Sequence, residues 1–481
     1  MGNDADVVVV GAGIAGLCCA ATLLEQGLQP ILICETPEVG WSLRAVQVGR
    51  SRGFVQHPIW QPGLGGGSWF SAAKYLNAPV SFDVSPPLQI HRMADHSTVT
   101  LSVSTSPAAI VDTFADISAL PIKDQRDGLE KLMREVQGMS WTQISQLSET
   151  PLAEWLQQRG ADPVVAQIMC GLAAKVSEIP VDVAEQILNA YGILTKIRTL
   201  LFGEAFCTSP APDPWEGMVL PLARALEAKG CTILRSAAMD DVLIEQGRAA
   251  GVVLKSGAEI RGRAVALATG TPRIARILKN MPAAVRAAVE HADSVKGYDC
   301  CTYSLLDRDV TNGLANITMI TDEQGANRGY VFPMHAVSPG STEEGKFLLA
   351  AQSQHMSDEY HALGGHDGAV QSLLGLQERL YPGLENATVQ RATQVHPYGW
   401  LNPSTHGPKL PGRCEEIPGL YFAGDGSTPT MSFGVEGAGQ AGRLRALTIA
   451  GDFASDPHQA SAQAVARRAN ASSSSVPASR V

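Results

Sequence analysis

The sequence predicts an α/β protein: a Rossmann-like dinucleotide-binding domain and a second, α+β domain with a mixed sheet. Three observations carry this. Residues 6–35 read as strand, glycine-rich turn, helix and second strand closing on an acid. Buried-strand character returns at 264–268, after a helix and a short β-meander, and again at 420–423. Between these blocks, 80–214 and 291–414 lose that rhythm and read as a separate unit.

The first block sets the nucleotide site. Four valines at 7–10 form a β-branched, wholly apolar run, as expected of a strand in a parallel sheet covered on both faces. Gly11, Gly13 and Gly16 follow in G-x-G-x-x-G spacing. The first permits the tight turn, the second lets a pyrophosphate approach the backbone, and the third lets helix and strand pack closely. The helix N-terminus, with Ala15 in its first turn, presents unpaired N–H groups and partial positive charge to the phosphates. A second apolar run, 31–34, ends at Glu35, which can accept hydrogen bonds from ribose hydroxyls. Such a unit binds the ADP half of a dinucleotide.

Downstream, Gly40, Arg44, Gly49, Arg50 and Arg52 combine flexible backbone with positive charge, either as a second phosphate loop or as a solvated basic turn. A glycine cluster at 63–67 lies between Trp60 and Trp69. An alternating stretch at 98–105 reads as a strand, and helices are expected at 127–138, 151–159 and 163–174. The run 184–206 is apolar on more than one face and reads as a buried helix, with a pocket lining or a membrane-surface contact as the alternatives. Residues 220–229 predict a helix, 232–234 a strand, and 239–254 a hairpin turning at Gln246–Gly247. Strand-like runs at 295–306 and 346–352 and a helix over 368–380 suit a sheet that walls an active site. A strand at 420–423, a glycine-rich loop and a helix from near Val435 make a second anion or ring-edge site. Beyond about Ser455 the chain is Ala-, Ser- and Gln-rich and predicts disorder.

Composition narrows the class. The chain has 481 residues, 45% hydrophobic and 17% charged, with a formal net charge of −10. An acidic balance argues against nucleic-acid binding by a basic surface. Nine cysteines include two adjacent pairs, at 18–19 and 300–301, and no C-x-x-C, which suits buried reduced thiols and no metal site. The opening strand leaves no room for a signal peptide, and a cytoplasmic protein is expected.

Three separated blocks together resemble the FAD-dependent oxidoreductases of the flavin amine oxidase and phytoene desaturase superfamily. They are VVVVGAGIAGLCCAATLLEQG with Glu35, AAMDDVLIEQGRAAGVVLKSG, and GLYFAGDGSTPTMSFGVEGAGQAGR. The resemblance implies a glutathione-reductase-type FAD domain from 4–80, 215–290 and 415–455, a substrate domain from 81–214 and 291–414, and a tail at 456–481. It places Gly11, Gly13 and Gly16 under the pyrophosphate, Glu35 at the adenosine ribose and Arg44 on the phosphate side. Met239 falls at the adenine through its backbone, and Gly424 and Asp425 at the pyrophosphate and ribityl region. Val435 offers a backbone N–H to the flavin N1/O2 edge, where a helix N-terminus favours the negative charge of the reduced ring. FAD is expected to be noncovalent, since no cysteine falls at the family's attachment position.

The departures matter too. The family's Gly-Gly-Arg is here Gly40–Trp41–Ser42–Leu43–Arg44, Gly53–Phe54 leads to Gln56–His57, and Gly434 stands where many amine oxidases have an aromatic. Tyr398 and Trp400 are placed to supply the other half of a substrate cage, and Lys296 falls near the family's lysine beside N5. His57, His335 and His396 are the candidate bases. Three functions follow. The first is an oxidase or dehydrogenase of an amine or activated C–H in a small, partly apolar metabolite, the second a polyene or terpenoid desaturase, saturase or isomerase, and the third a non-catalytic flavoprotein. Peripheral membrane contact and a homodimer are compatible with each.

Overall fold

The computed structural model describes residues 4–40, 43–55, 59–60, 67–80, 82–84, 87–101, 103–118, 122–202, 206–210, 213–323, 325–398, 402–424, 426–427 and 434–455. Its first sheet is built around β1 (Ala5–Val10), which pairs in parallel with β2 (Pro30–Ile33) on one side and Glu259–Leu267 on the other. Strand Thr232–Leu234 extends it beyond β2. Strand Glu259–Leu267 does two jobs. Its early residues pair antiparallel with Arg248–Leu254, which in turn pairs with Met239–Glu245, while Val265, Ala266 and Leu267 pair in parallel with Leu420–Phe422. A parallel sheet with an antiparallel meander on its crossover is the expected dinucleotide-domain layout. The meander turns at Gln246 and Gly247, both at positive φ (50° and 75°), as a two-residue hairpin turn requires.

Helix α1 (Ile14–Glu25) is buried from Ile14 through Leu23, so it has no solvent face until its last turn. It lies between the sheet and the long C-terminal helix Gly434–Ser455, and a helix apolar all round needs such double cover. The two helices meet backbone to backbone: a Cβ on Gly442 would sit 2.0 Å from the Ala15 carbonyl oxygen.

The second sheet has seven strands, in the order Thr388–Tyr398, Gly297–Leu306, Phe347–Met356, Asn327–Pro333, Thr318–Thr321, Gln89–Arg92, Thr98–Thr100. Thr318–Thr321 and Gln89–Arg92 run parallel and the other neighbours antiparallel, so the sheet is mixed as expected. Its faces alternate along Gly297–Leu306. Cys300 and Leu306 join Leu373 and Leu376 of helix Gly365–Leu380 in one core. Cys301, Tyr303 and Leu305 face the other way, onto Val48 and Phe54 of the segment carrying the hairpin Val46–Val48/Ser51–Gly53. Gly53 fits because it has no side chain; a Cβ would lie 2.1 Å from the Tyr303 ring.

A helical lobe from Pro107–Ser118 to Ala190–Lys196 packs around Phe114, Met133, Trp155 and Leu194. Here one sequence expectation is corrected. Residues 184–206 are not one helix: Val181–Ile187 ends, Leu188 and Asn189 make isolated bridges, Ala190–Lys196 restarts, and Ile197–Leu201 is π-helical. Asn189 is the cause. Its amide donates to the carbonyls of Ser148 (2.7 Å) and Thr405 (2.8 Å), while its Oδ1 accepts from Gly192 N (2.9 Å) and caps the new helix. Among the described residues no single helix is long and apolar enough to cross a membrane; one pair bent by 99°, Pro163–Ser177 and Val181–Ile187, meets that composition together. The eight cysteines whose side chains are described are free and buried, as the adjacent pairs implied.

Candidate functional site

The cofactor segments, distant in sequence, converge at the C-terminal ends of the first sheet. Gly11 has φ +109°, donates its N–H to the Ile33 carbonyl (2.9 Å), and leaves no room for a Cβ, which would meet the Ala268 oxygen at 2.4 Å. Gly16 is packed against the same turn, its hypothetical Cβ 1.8 Å from the Gly11 oxygen. Gly13 differs: it precedes the first residue of α1, and nothing lies within 4 Å of where its Cβ would be. An open cradle at a helix N-terminus is the geometry a pyrophosphate needs. Ala15 is buried in the first turn, under Gly442.

Glu35 follows β2 on the surface, its carboxylate 3.5 Å from Arg273 Nη2. Met239 opens the first meander strand and is buried. The two share a corner because Ala237 N–H bonds to the Cys34 carbonyl (2.8 Å) and Ser236 N–H to that of Thr36 (3.1 Å). An adenosine lying between them would meet the acid and the Met239 backbone together. At the opposite end, Ala423 N–H bonds to Leu267 O (2.9 Å), and a Cβ on Gly424 would lie 2.5 Å from the Thr269 oxygen. Gly424 therefore abuts the strand end that also abuts Gly11. Val435 is the second residue of the C-terminal helix and is buried. Asp425 and Trp400 lie outside the described residues, as do Gln56–His57, the glycines at 63–66 and the tail.

The basic segment after Glu35 divides. Arg44 reaches Glu38 (3.7 Å) and lines a cleft of about 210 Å³ with Glu38, Ala45, Val46, Gln394 and His396. Arg52 takes neither sequence reading: it pairs internally with Asp213 (3.2 Å) and Glu216. Asp213 also caps the turn at Trp215 and Glu216 through their N–H groups.

Lys296 ion-pairs with Asp293 (2.8 Å) just before strand Gly297–Leu306, and the backbone of Tyr398 pairs with Gly297 at that strand's start. Two residues further along, Asp299 stands opposite His396 on one neighbouring strand and Gln354 on the other. Directly opposed residues share a face, so Asp299 belongs to the face on which His396 meets the Arg44 cleft. Asp299 is 2% exposed and accepts from Gln352 Nε2 at 2.6 Å. Burial pushes its carboxyl up to about 6, tempered by Gln352 and the His355 charge.

Glu178 completes the row from the helical lobe. Its Oε2 accepts from Gln354 N (3.0 Å), and its backbone is left-handed (φ +52°). Burial, then the charge of Asp299, raise its carboxyl to about 8. Lys196 bonds to Val176 O (3.0 Å) and Ser177 Oγ (3.2 Å), and burial lowers its ammonium to about 8 against the pull of Glu178. Glu178 and Lys196 keep accessible surface although desolvation dominates their titration, as groups facing an enclosed cleft do. His396 is lowered by burial. His335 instead bonds to the Leu348 carbonyl (3.3 Å) and stands edge-on to Phe347.

Sequence reasoning missed Arg273, Asp299, Glu178 and Glu436. Asp299 left a trace, as the one acid in KGYDCCTYSLL, and Glu436 likewise as the one acid in GVEGAGQAG. Glu178 left none, because its φ and its partner strand are not visible in its neighbours.

With this geometry in hand, comparison with known proteins decides the cofactor. Residues 6–301 match the FAD binding domain model, more than half of the chain. The chain belongs to the FAD binding domain family. FAD is its cofactor, and it is an FAD-dependent oxidoreductase. Solved structures of oxidoreductases share its fold. An oxidoreductase from Methanosarcina mazei aligns with TM-score 0.68 at 17% identity, covering 92% of this chain and 99% of that one. Cyclohexylamine oxidase from Brevibacterium oxydans aligns at 0.60 and 14%, covering 93% and 99%. A putrescine oxidase bound to putrescine aligns at 0.60 and 15%, covering 92% and 98%. No curated protein matches by sequence.

Proposed function

We propose that this FAD-dependent oxidoreductase takes a hydride from a C–H bond beside an amine, or from a similarly activated carbon, in a small and partly apolar metabolite. The observation that supports this reading is a pair of desolvated acids beside the cleft: Asp299 in register with His396, which lines the Arg44 cleft, and Glu178, which reaches from the helical lobe to Gln354 N on the next strand. Bound FAD supplies the hydride acceptor. The protein's part is to hold the substrate's polar end and exclude water. An ionised Asp299 would orient an ammonium or other donor group, with Gln352 fixing the carboxylate's rotamer. A wholly apolar polyene would leave those buried carboxylates unpaired, which is costly, so the desaturase reading ranks second. Tyr398, Trp400 and Lys296 belong to this proposal as lining groups near the flavin.

The test is anaerobic. The FAD-loaded protein is mixed with cyclohexylamine, putrescine or a solubilised polyene, flavin absorbance is followed, and oxygen is then admitted. Bleaching by an amine supports the proposal, and D299N should then raise KM about 10-fold with a smaller change in kcat. Bleaching by the polyene alone, with a new double bond in the product, would replace it with desaturation.

A further inference from the structure

Glu436 is the residue after Val435, in the first turn of the helix Gly434–Ser455, and it is 0% exposed. Its Oε1 accepts from the N–H of Ser68 (2.7 Å), the first residue of helix Ser68–Leu76, and from Gln440 Nε2 (3.2 Å). Its Oε2 is buried and has no hydrogen-bond partner. A carboxylate shut away from water with one oxygen unsatisfied is held ionised only at a cost, and taking a proton removes most of it, so its proton affinity is poised to rise with any added negative charge. Among the described residues, the groups around it do not supply a counter-charge. Helix Ser68–Leu76 offers a backbone N–H and the Ser68 hydroxyl, α1 offers the Cys18 thiol, which burial holds protonated, and its own helix offers Gln440. Arg443, one turn further along, bears on Cys18 rather than on Glu436 and reaches Glu25 at 3.0 Å.

Such a group responds to any new negative charge nearby. The start of this helix is where the flavin N1/O2 edge is expected, and reduction makes that edge negative. We propose that Glu436 is a redox-linked proton acceptor, ionised beside oxidised FAD and taking one proton from solvent when the flavin is reduced. This rests on FAD binding with its ring edge at the Val435 helix start. The balance is two electrons and one proton to the flavin, giving the anionic reduced ring, and one further proton to the Glu436 carboxylate. The electrons come from the substrate hydride in turnover, or from dithionite in a titration. Burial, partly offset by the hydrogen bonds from Ser68 and Gln440, brings the carboxyl up to about 7, so the uptake falls in an accessible pH range. Two charges are thereby never left together in one buried region, and the residue acts as a positioning and charge-balancing group rather than a catalytic one.

The experiment is potentiometric titration of the FAD-bound protein, with dithionite and mediator dyes, from pH 6 to 9. One proton per two electrons gives a slope of about 30 mV per pH unit, and two protons about 60. The wild type should show a steeper segment beginning near pH 7, and E436Q, which keeps the acceptor for Ser68, should show about 30 mV throughout. A steep segment in both proteins, or in neither, overturns the proposal. Should E436Q not fold, the wild type alone decides: reduced-minus-oxidised infrared spectra at pH 8 should gain a protonated carboxyl band, and its absence overturns the proposal equally. Loss of FAD binding in the wild type would instead sink the cofactor reading on which the proposal rests.

Discussion

Gly13 and Gly16 are three residues apart in one motif, yet a single added methyl should act on them in opposite ways. At Gly13 a Cβ meets nothing of the protein, and its φ of −79° suits alanine. At Gly16 it collides with the Gly11 carbonyl and presses on Leu32. G13A should therefore fold with a loss of about 1 kcal/mol at most, from the poorer helix cap. It should bind FAD at least about 10-fold more weakly, because the methyl fills the pyrophosphate's place. G16A should cost about 3 kcal/mol as apoprotein by prising α1 from its turn. Urea unfolding of the apoproteins and fluorescence titration with FAD measure both; equal FAD affinity for G13A and wild type would remove the pyrophosphate from this loop. The glycines were legible because their spacing reports a local backbone path. Asp299 and Glu178 were not, since their meaning depends on strands paired 55 and 176 residues away in sequence, at Gln354.

Among elements, the break at Asn189 shows how one polar side chain can override an apolar run. Leucines and isoleucines from 184 to 206 favour a buried helix, and most of them are buried. But the segment must pass between the helical lobe and residues 402–406, and the backbone groups freed there need partners. Asn189 supplies them to Ser148 and Thr405, from 41 and 216 residues away. N189A leaves the Ser148 carbonyl and the Gly192 N–H unsatisfied, while Thr405 O keeps its bond from Lys409 Nζ, and should cost about 2 kcal/mol. The check is a lower urea midpoint with unchanged slope; a loss under about 0.5 kcal/mol would mean the break is held by packing alone. The three helices predicted at 127–138, 151–159 and 163–174 were legible to within a few residues because they bury one stripe, as in Arg126–Gly138 with Leu129, Leu132, Met133 and Val136 inside, whereas Pro107–Ser118 was not predicted. Nothing in the local pattern says that a buried helix must stop for a distant turn and bridge at 402–405.

Across the whole molecule, raised and lowered titrations combine into a pH profile whose sign can be worked out. Glu178 and Glu436 are raised by burial to about 8 and about 7, so the folded state binds protons there that the unfolded chain has already released. Stability is full below the ordinary glutamate range and falls as pH rises towards the folded values. Histidines act oppositely: burial lowers His291 to about 4, a penalty relieved as pH climbs to 6.5. Lys175, Lys196 and Lys409, lowered to about 8, carry a penalty that eases only above pH 8. Between pH 6.5 and 8 the two glutamates therefore act with least opposition, and the apoprotein should lose stability, by at most about 2 kcal/mol for each fully linked proton. Glu178 keeps some solvent contact and Lys196 partly offsets it, so its share is the smaller fraction of that bound. E178Q should flatten the upper part of the decline, towards pH 8, and E436Q the lower part, near pH 7. Urea midpoints of the three apoproteins at half-unit intervals measure this, and a wild type whose stability is flat or rising across the window would show that these carboxyls are solvated in the folded state. With FAD bound the Glu436 share should persist while that of Glu178 becomes sensitive to added amine. An amine that pairs with Glu178 lowers its titration, whereas Glu436 bonds to Ser68 N and Gln440 Nε2 and makes no contact with Glu178.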